Sequence, residues 1–230
     1  MSAANTATSA PSTRRHNHTW RVPLALVALS LIPVIAGSLR LSDPSTETTF
    51  MPQNAHHPPA PIALIVHIVS AVGYSLLGAF QFSAGIRRRH PGWHRRAGRV
   101  LVPLGLAVAA SAVWLTLAYP PEENSGAVLY WSRLLFGVAM GGCLVGGLLS
   151  IRGRDIGAHR AWMIRAYAIG LGAGTQVVTI GLGQAAFGTG TLATDFVTAA
   201  GWVVNVTVAE VLIRVSLAHR ARQGDRAAVR

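Results

Sequence analysis

Lysine is absent from this 230-residue chain, so all 20 basic side chains are arginines. Acidic residues are scarce, at eight, and the single cysteine, Cys143, lies inside an apolar run. A lone cysteine excludes a disulfide framework and the paired CxxC of zinc and redox sites, which leaves Cys143 as core filler. Charged residues make up 12% of the chain against 51% apolar, too little charge for a soluble domain of this size. The P-loop, HExxH and GxSxG strings are all missing, so nucleotide hydrolysis, zinc proteolysis and serine-hydrolase chemistry have no support. A formal charge of +12 would suit nucleic acid on a soluble surface. Here the arginines sit in short segments between apolar runs, and no nucleic-acid partner is expected.

What is present is six apolar runs, at 22–39, 61–86, 100–119, 129–151, 162–184 and 196–217. The shortest has 18 residues, which at about 1.5 Å per residue cover about 27 Å, close to the hydrocarbon thickness of a bilayer. It shares basic leading residues and a small-residue end (Ala36, Gly37, Ser38) with secretory signals, but its length favours a retained span. Only helices or closed barrels cross lipid. The expected fold is therefore an all-α polytopic bundle of six transmembrane helices. Eighteen of the arginines, all but Arg40 and Arg133, fall in 1–21, 87–99, 151–165 and 214–230, on one side of these spans. Cytoplasmic loops carry the excess of positive charge, so both termini are expected in the cytoplasm and the chain in the cytoplasmic membrane. Residues 1–21 read as a disordered basic tail and 218–230 as a second basic tail. Trp20, Trp93, Tyr119, Tyr130, Trp131 and Trp162 fall near span ends, where amphipathic rings favour the headgroup region.

A repeat crosses this plan. Gly85-Ile86-Arg87-x-Arg89-x-x-Gly92-x-His94-Arg95 aligns without a gap on Ser150-Ile151-Arg152-x-Arg154-x-x-Gly157-x-His159-Arg160, 65 residues later. Spans two and three, and spans four and five, therefore read as duplicated hairpins with both His-Arg turns at the cytoplasmic face. The strings His94-Arg95-Arg96-Ala97-Gly98-Arg99 and His159-Arg160-Ala161-Trp162-Met163-Ile164-Arg165, beside their hydrophobic helices, carry a family likeness. Over roughly residues 62–185 the chain resembles the bacterial membrane proteins catalogued as domain of unknown function 2306. The resemblance implies a membrane fold and no particular chemistry.

Guanidinium groups bond phosphate and carboxylate in bidentate fashion, and basic pockets on the cytoplasmic side bind anionic headgroups. The candidate ligand-binding residues are His94, Arg95, Arg99, His159, Arg160, Arg165 and Glu210. Snorkelling arginines are the bland reading of Arg99 and Arg165. Glu210 is the only acid inside a span, and its first role is a structural link to Arg165 or to Arg214 one turn later. A second set, His67, Tyr74, Gln81, Arg133 and Gln176, lies on polar stripes that either pack helix on helix or line a polar cavity.

The function expected first is non-enzymatic: binding of an anionic lipid headgroup or small anionic ligand at the inner leaflet, with a transport path as its extension. A competing reading places haem b between His94 and His159. A third is a structural or assembly subunit. No metal site is expected, because His56-His57 before Pro58-Pro59 offers too few ligands.

Overall fold

The computed structural model describes residues 18–42, 62–120 and 125–228. They form α1 (His18–Ser42), α2 (Ile62–Ala79), α3 (Ala84–Arg89), α4 (Pro91–Ala118), α5 (Ala127–Arg152), α6 (Ile156–Gly170), α7 (Gly172–Phe187) and α8 (Thr191–Ala228), with a 3-10 turn, Phe80–Phe82, continuing α2. No strand occurs among the described residues. Five helices are long and apolar enough to cross a membrane singly: α1, α2 with its turn, α4, α5 and α8. Helices α6 and α7 qualify together, bent by 47° at Leu171.

Close contacts between neighbours fix the direction of each crossing. Trp20 meets Phe80 and Gly37 meets Ile68, so α1 and α2 run antiparallel. Tyr74 lies on Gly105 and His67 on Ser111, which does the same for α2 and α4. Gly105 faces Leu144 and Gly137 faces Val113, reversing α5 against α4. Gly147 meets Met163 and Gly170 meets Met140, reversing α6 against α5. Along α8 the order Glu210, Asn205 and Val197 pairs with Arg165, Thr175 and Gly183. The bend at Leu171 therefore redirects the chain without turning it back, and α6 with α7 is one crossing. Six crossings bring the start of α1 and the end of α8 to the same, arginine-rich end of the bundle.

The bend falls in a glycine-rich stretch that other elements approach closely. Gly170, Gly172 and Gly174 flank Leu171, and each is a place where another element comes too close for a side chain. Tyr74 covers Gly170, the Trp202 indole covers Gly172, and the Leu29 backbone of α1 presses on Gly174. Broken helices inside lipid need partners for their released carbonyls. Asn205 Nδ2 donates to Ala168 O at 3.1 Å, while Thr175 Oγ1 and Asn205 Oδ1 meet at 2.7 Å. Tyr74, Leu101, Met140, Leu144 and Tyr167 build the core. The outer faces carry exposed apolar residues such as Trp131, Leu135 and Val138 on α5, as lipid contact requires.

The spans depart from expectation where glycine and capping residues interrupt them. The 61–86 run breaks at Ser83, whose hydroxyl caps α3, and the 162–184 run breaks at Leu171. Two strings read as loops are helical: His94–Arg99 lies in α4, which starts at Pro91, and His159–Arg165 lies in α6, which starts at Ile156. Proline suits the first helical position, and Asp155 caps α6 by accepting from Ala158 N at 2.8 Å. The 218–230 segment is helical through Ala228. Most of the 1–21 tail and the His56-His57 pair lie outside the described residues.

Candidate functional site

At the arginine-rich end, α3 forms an elbow between α2 and α4. Ser83 starts it, its Oγ accepting from Ile86 N, and His90 closes it with its backbone N–H on Ile86 O at 2.8 Å. This elbow turns Arg87 back under the end of α2, where Nη1 donates to Gln81 O at 2.9 Å. Burial, then the charges of Arg160 and Arg88, push the Arg87 guanidinium below its usual pKa. His94 follows in α4, among the charges of Arg87, His159 and Arg95. The two repeated strings thus lie within electrostatic reach of one another, Arg160 acting on Arg87 and His159 on His94.

Their histidines occupy the same helical position, the fourth residue of α4 and of α6. The approaches differ. The first string passes through α3, whereas the second leaves α5 by a Schellman turn in which Arg154 takes φ 63°, its N–H on Ile151 O and the Asp155 N–H on Ser150 O. His159 Nδ1 bonds Gly147 O at 2.8 Å, which sets that nitrogen as the donor. His94 Nδ1 and Gln81 Nε2 are buried and have no hydrogen-bond partner. A buried polar nitrogen without a partner costs about 1–3 kcal/mol.

The remaining candidates are distributed elsewhere. Arg95 and Arg99 are exposed, on the flank of α4 turned away from buried Ala97, Leu101, Gly105 and Val108. Arg165 is committed to Glu210 in a bidentate pair, Nε to Oε1 at 2.5 Å and Nη2 to Oε2 at 3.0 Å, with the guanidinium 5.1 Å from the Trp162 ring centre. Of the polar-stripe residues, His67 Nδ1 bonds Ser111 Oγ at 3.0 Å, and Gln176 Nε2 donates to Thr198 O at 3.0 Å. Tyr74 fills the core between Gly105, Gly170 and Tyr167. Arg133 lies on α5 at the far end, partly buried. These five residues do not converge on one space: Tyr74 packs against glycines, and His67 and Gln176 bond neighbouring helices.

Three residues matter more than their sequence suggested. Arg87 was visible within the repeated string. Asn205 stands alone in a valine-rich run, the usual mark of an intramembrane polar role. Asp195 gave no such signal, since it reads as a loop acid. It is fully buried in α8 and accepts from Gly126 N at 2.9 Å and Leu129 N at 3.2 Å, capping α5 from a neighbouring helix.

An all-helical bundle with lipid-facing apolar surfaces, polar seams and one basic end is a multi-pass integral membrane protein. Within that class, the family described as "predicted membrane protein" and catalogued as domain of unknown function 2306 matches residues 64–213, and the chain belongs to it. No curated protein and no solved structure matches the chain. Among the described residues, no group of three or more His, Cys, Asp or Glu side chains is arranged to hold a metal ion.

Proposed function

We propose that the arginine-rich end faces the cytoplasm, in the cytoplasmic membrane, and that Arg87, Gln81, His94, His159 and Arg160 bind an anionic group there. The group is the phosphate or carboxylate of a lipid headgroup or of a small molecule. One observation carries the reading: the charges acting on Arg87 and His94 come from Arg160, Arg88, Arg95 and His159, all basic, while Gln81 Nε2 and His94 Nδ1 lack acceptors. An oxyanion supplies both the missing acceptors and the missing negative charge. The compact packing around Tyr74 favours binding over passage through the bundle. Arg99 and Arg165, expected as ligands, take other roles in this reading, Arg99 on the outer flank and Arg165 with Glu210.

Binding of inorganic pyrophosphate to the detergent-purified protein, by calorimetry at low and high salt, and of phosphatidylglycerol, by native mass spectrometry, tests the proposal. At least one probe binds, binding weakens as salt rises, and Arg87→Ala reduces it by about tenfold or more, the scale of a charge-assisted hydrogen bond. Binding of neither probe, or binding indifferent to Arg87→Ala, overturns it.

A further inference from the structure

Helices α6 and α7 are separated by one residue, Leu171, at φ −80° and ψ 0°, about 40° in ψ from the α-helical value. On either side of it the backbone ladder is helical: Leu171 N donates to Tyr167 O at 2.9 Å, and Thr175 N to Leu171 O at 3.4 Å. Between them it is interrupted. An unbroken helix carries Gly172 N–H to Ala168 O and Gly174 N–H to Gly170 O. Here the first bond is missing, and Gly174 N–H turns to Leu171 O at 3.0 Å. No proline occurs from Ile156 to Phe187, so the sequence itself permits a continuous helix.

Ala168 O is taken instead by Asn205 of α8, whose Nδ2 donates to it at 3.1 Å. The same amide accepts from Thr175 Oγ1 at 2.7 Å, so one side chain grips the last turn of α6 and the first turn of α7. Both bonds use a single orientation of the amide, since the flipped group would set its oxygen against the Ala168 carbonyl. Each half is also held to α8 beyond the break, α6 by Arg165 on Glu210 and α7 by Gln176 Nε2 on Thr198 O. The first grip is an ion pair and the second a neutral amide bond, so α7 is the half held less firmly.

We infer that Asn205 is a latch: the 47° bend is one of two states of this span, and withdrawal of the Asn205 amide lets Gly172 N–H close on Ala168 O, joining α6 and α7 into one straight helix. One donor replaces another on the same carbonyl, so neither state leaves Ala168 O bare in the bundle interior, where a bare carbonyl is costly. An apolar residue at 205 strips that carbonyl in the bent state alone and thereby selects the straight one. The change swings the far half of the span against the arginine-bearing half, a hinge motion absorbed by one residue. It is independent of the anion-binding reading.

The experiment is a distance measurement by pulsed electron paramagnetic resonance between spin labels at Ile156 and Phe187, both exposed, in a Cys143→Ala background. Helices of 15 and 16 residues at about 1.5 Å per residue, opened from a 47° bend to a straight line, separate these ends by about 4 Å more. Asn205→Leu should lengthen the distance by about that amount, and Asn205→Ala serves if the leucine variant does not fold. Ala173→Pro supplies the control. Position 173 is exposed and lies in the first turn of α7, where proline is tolerated, but in a continuous helix the ring has no N–H for Ile169 O and clashes with it. Asn205→Leu combined with Ala173→Pro should therefore return to the wild-type distance. An unchanged distance in the folded position-205 variant would assign the bend to packing by Trp202 and Leu29 and overturn the latch. Lengthening that persists with Ala173→Pro would overturn it too, because the ladder could not have closed.

Discussion

Replacing Glu210 by Ala removes the acceptor from a guanidinium that has only 28% of its surface exposed, against 31% for the carboxylate. Two charge-assisted bonds are lost, at 2.5 and 3.0 Å. Neutral interhelical bonds in membrane proteins average about 0.6 kcal/mol, and bonds to charged groups reach about 1.5–3 kcal/mol. Breaking a fully buried pair costs about 3–5 kcal/mol. Arg165 and Glu210 are each about a third exposed, so solvent screens part of that loss. A cost of about 2 kcal/mol for Glu210→Ala is the result. Arg165→Met should cost a similar amount, partly through loss of contact with Trp162. The double variant Arg165→Met with Glu210→Met leaves no uncompensated charge and should fall short of the sum of the singles by at least about 1 kcal/mol. Unfolding of each variant in detergent micelles, followed by circular dichroism against denaturant, measures the coupling. Additive costs, or a neutral Glu210→Ala, would refute the claim that this pair fastens α6 to α8.

Four further outcomes follow from the same geometry. Asp195→Ala leaves the part-buried Gly126 N–H and the buried Leu129 N–H at the start of α5 without an acceptor and should lower stability by about 1–3 kcal/mol, read in the same assay. Gly105→Ala should be destabilising by about 1–3 kcal/mol, because the new methyl meets Tyr74 at 2.7 Å and Leu144 at 2.8 Å, whereas Gly98→Ala, with open space around it, should be neutral or stabilising. Arg154→Gly should stabilise by about 0.5–1 kcal/mol, since glycine meets no penalty at φ 63°. After incubation with haemin and removal of the unbound pigment, the purified protein should retain no Soret band; a retained band that shifts on His94→Ala or His159→Ala would assign that pair to iron.

The hydropathy of the chain made the crossings legible, because about eighteen apolar residues have few alternatives to a helix in lipid. Interruptions inside those runs were hidden for the opposite reason. Ser83 and Leu171 are ordinary residues in an apolar context; the first break shows only in the Ser83 cap on α3, and the second coincides with glycines that take the close approach of Trp202 and Leu29. Helix facing was equally hidden at Arg99, since a count of residues after His94 does not say which flank the guanidinium takes, while the buried row Ala97, Leu101, Gly105 and Val108 does. The repeated string brought Arg87, His94, His159 and Arg160 into view as one set. Their convergence depends on α3, which turns the first string back toward the second and has no counterpart before α6. Asp195 shows the limit of local reading, because its partners Gly126 and Leu129 lie in a different helix.

The proposed cytoplasmic placement of the arginine-bearing turns, at one end of six crossings, is open to a direct topology measurement. Single cysteines at Trp93, Arg154 and His219, and at Tyr119 and Leu192, in a Cys143→Ala background, can be probed in intact cells with a membrane-impermeant maleimide. The first three should be protected until the cells are opened, and Tyr119 and Leu192 should label at once. Labelling of position 93 from outside, or positions 93 and 219 on opposite sides of the membrane, would contradict it.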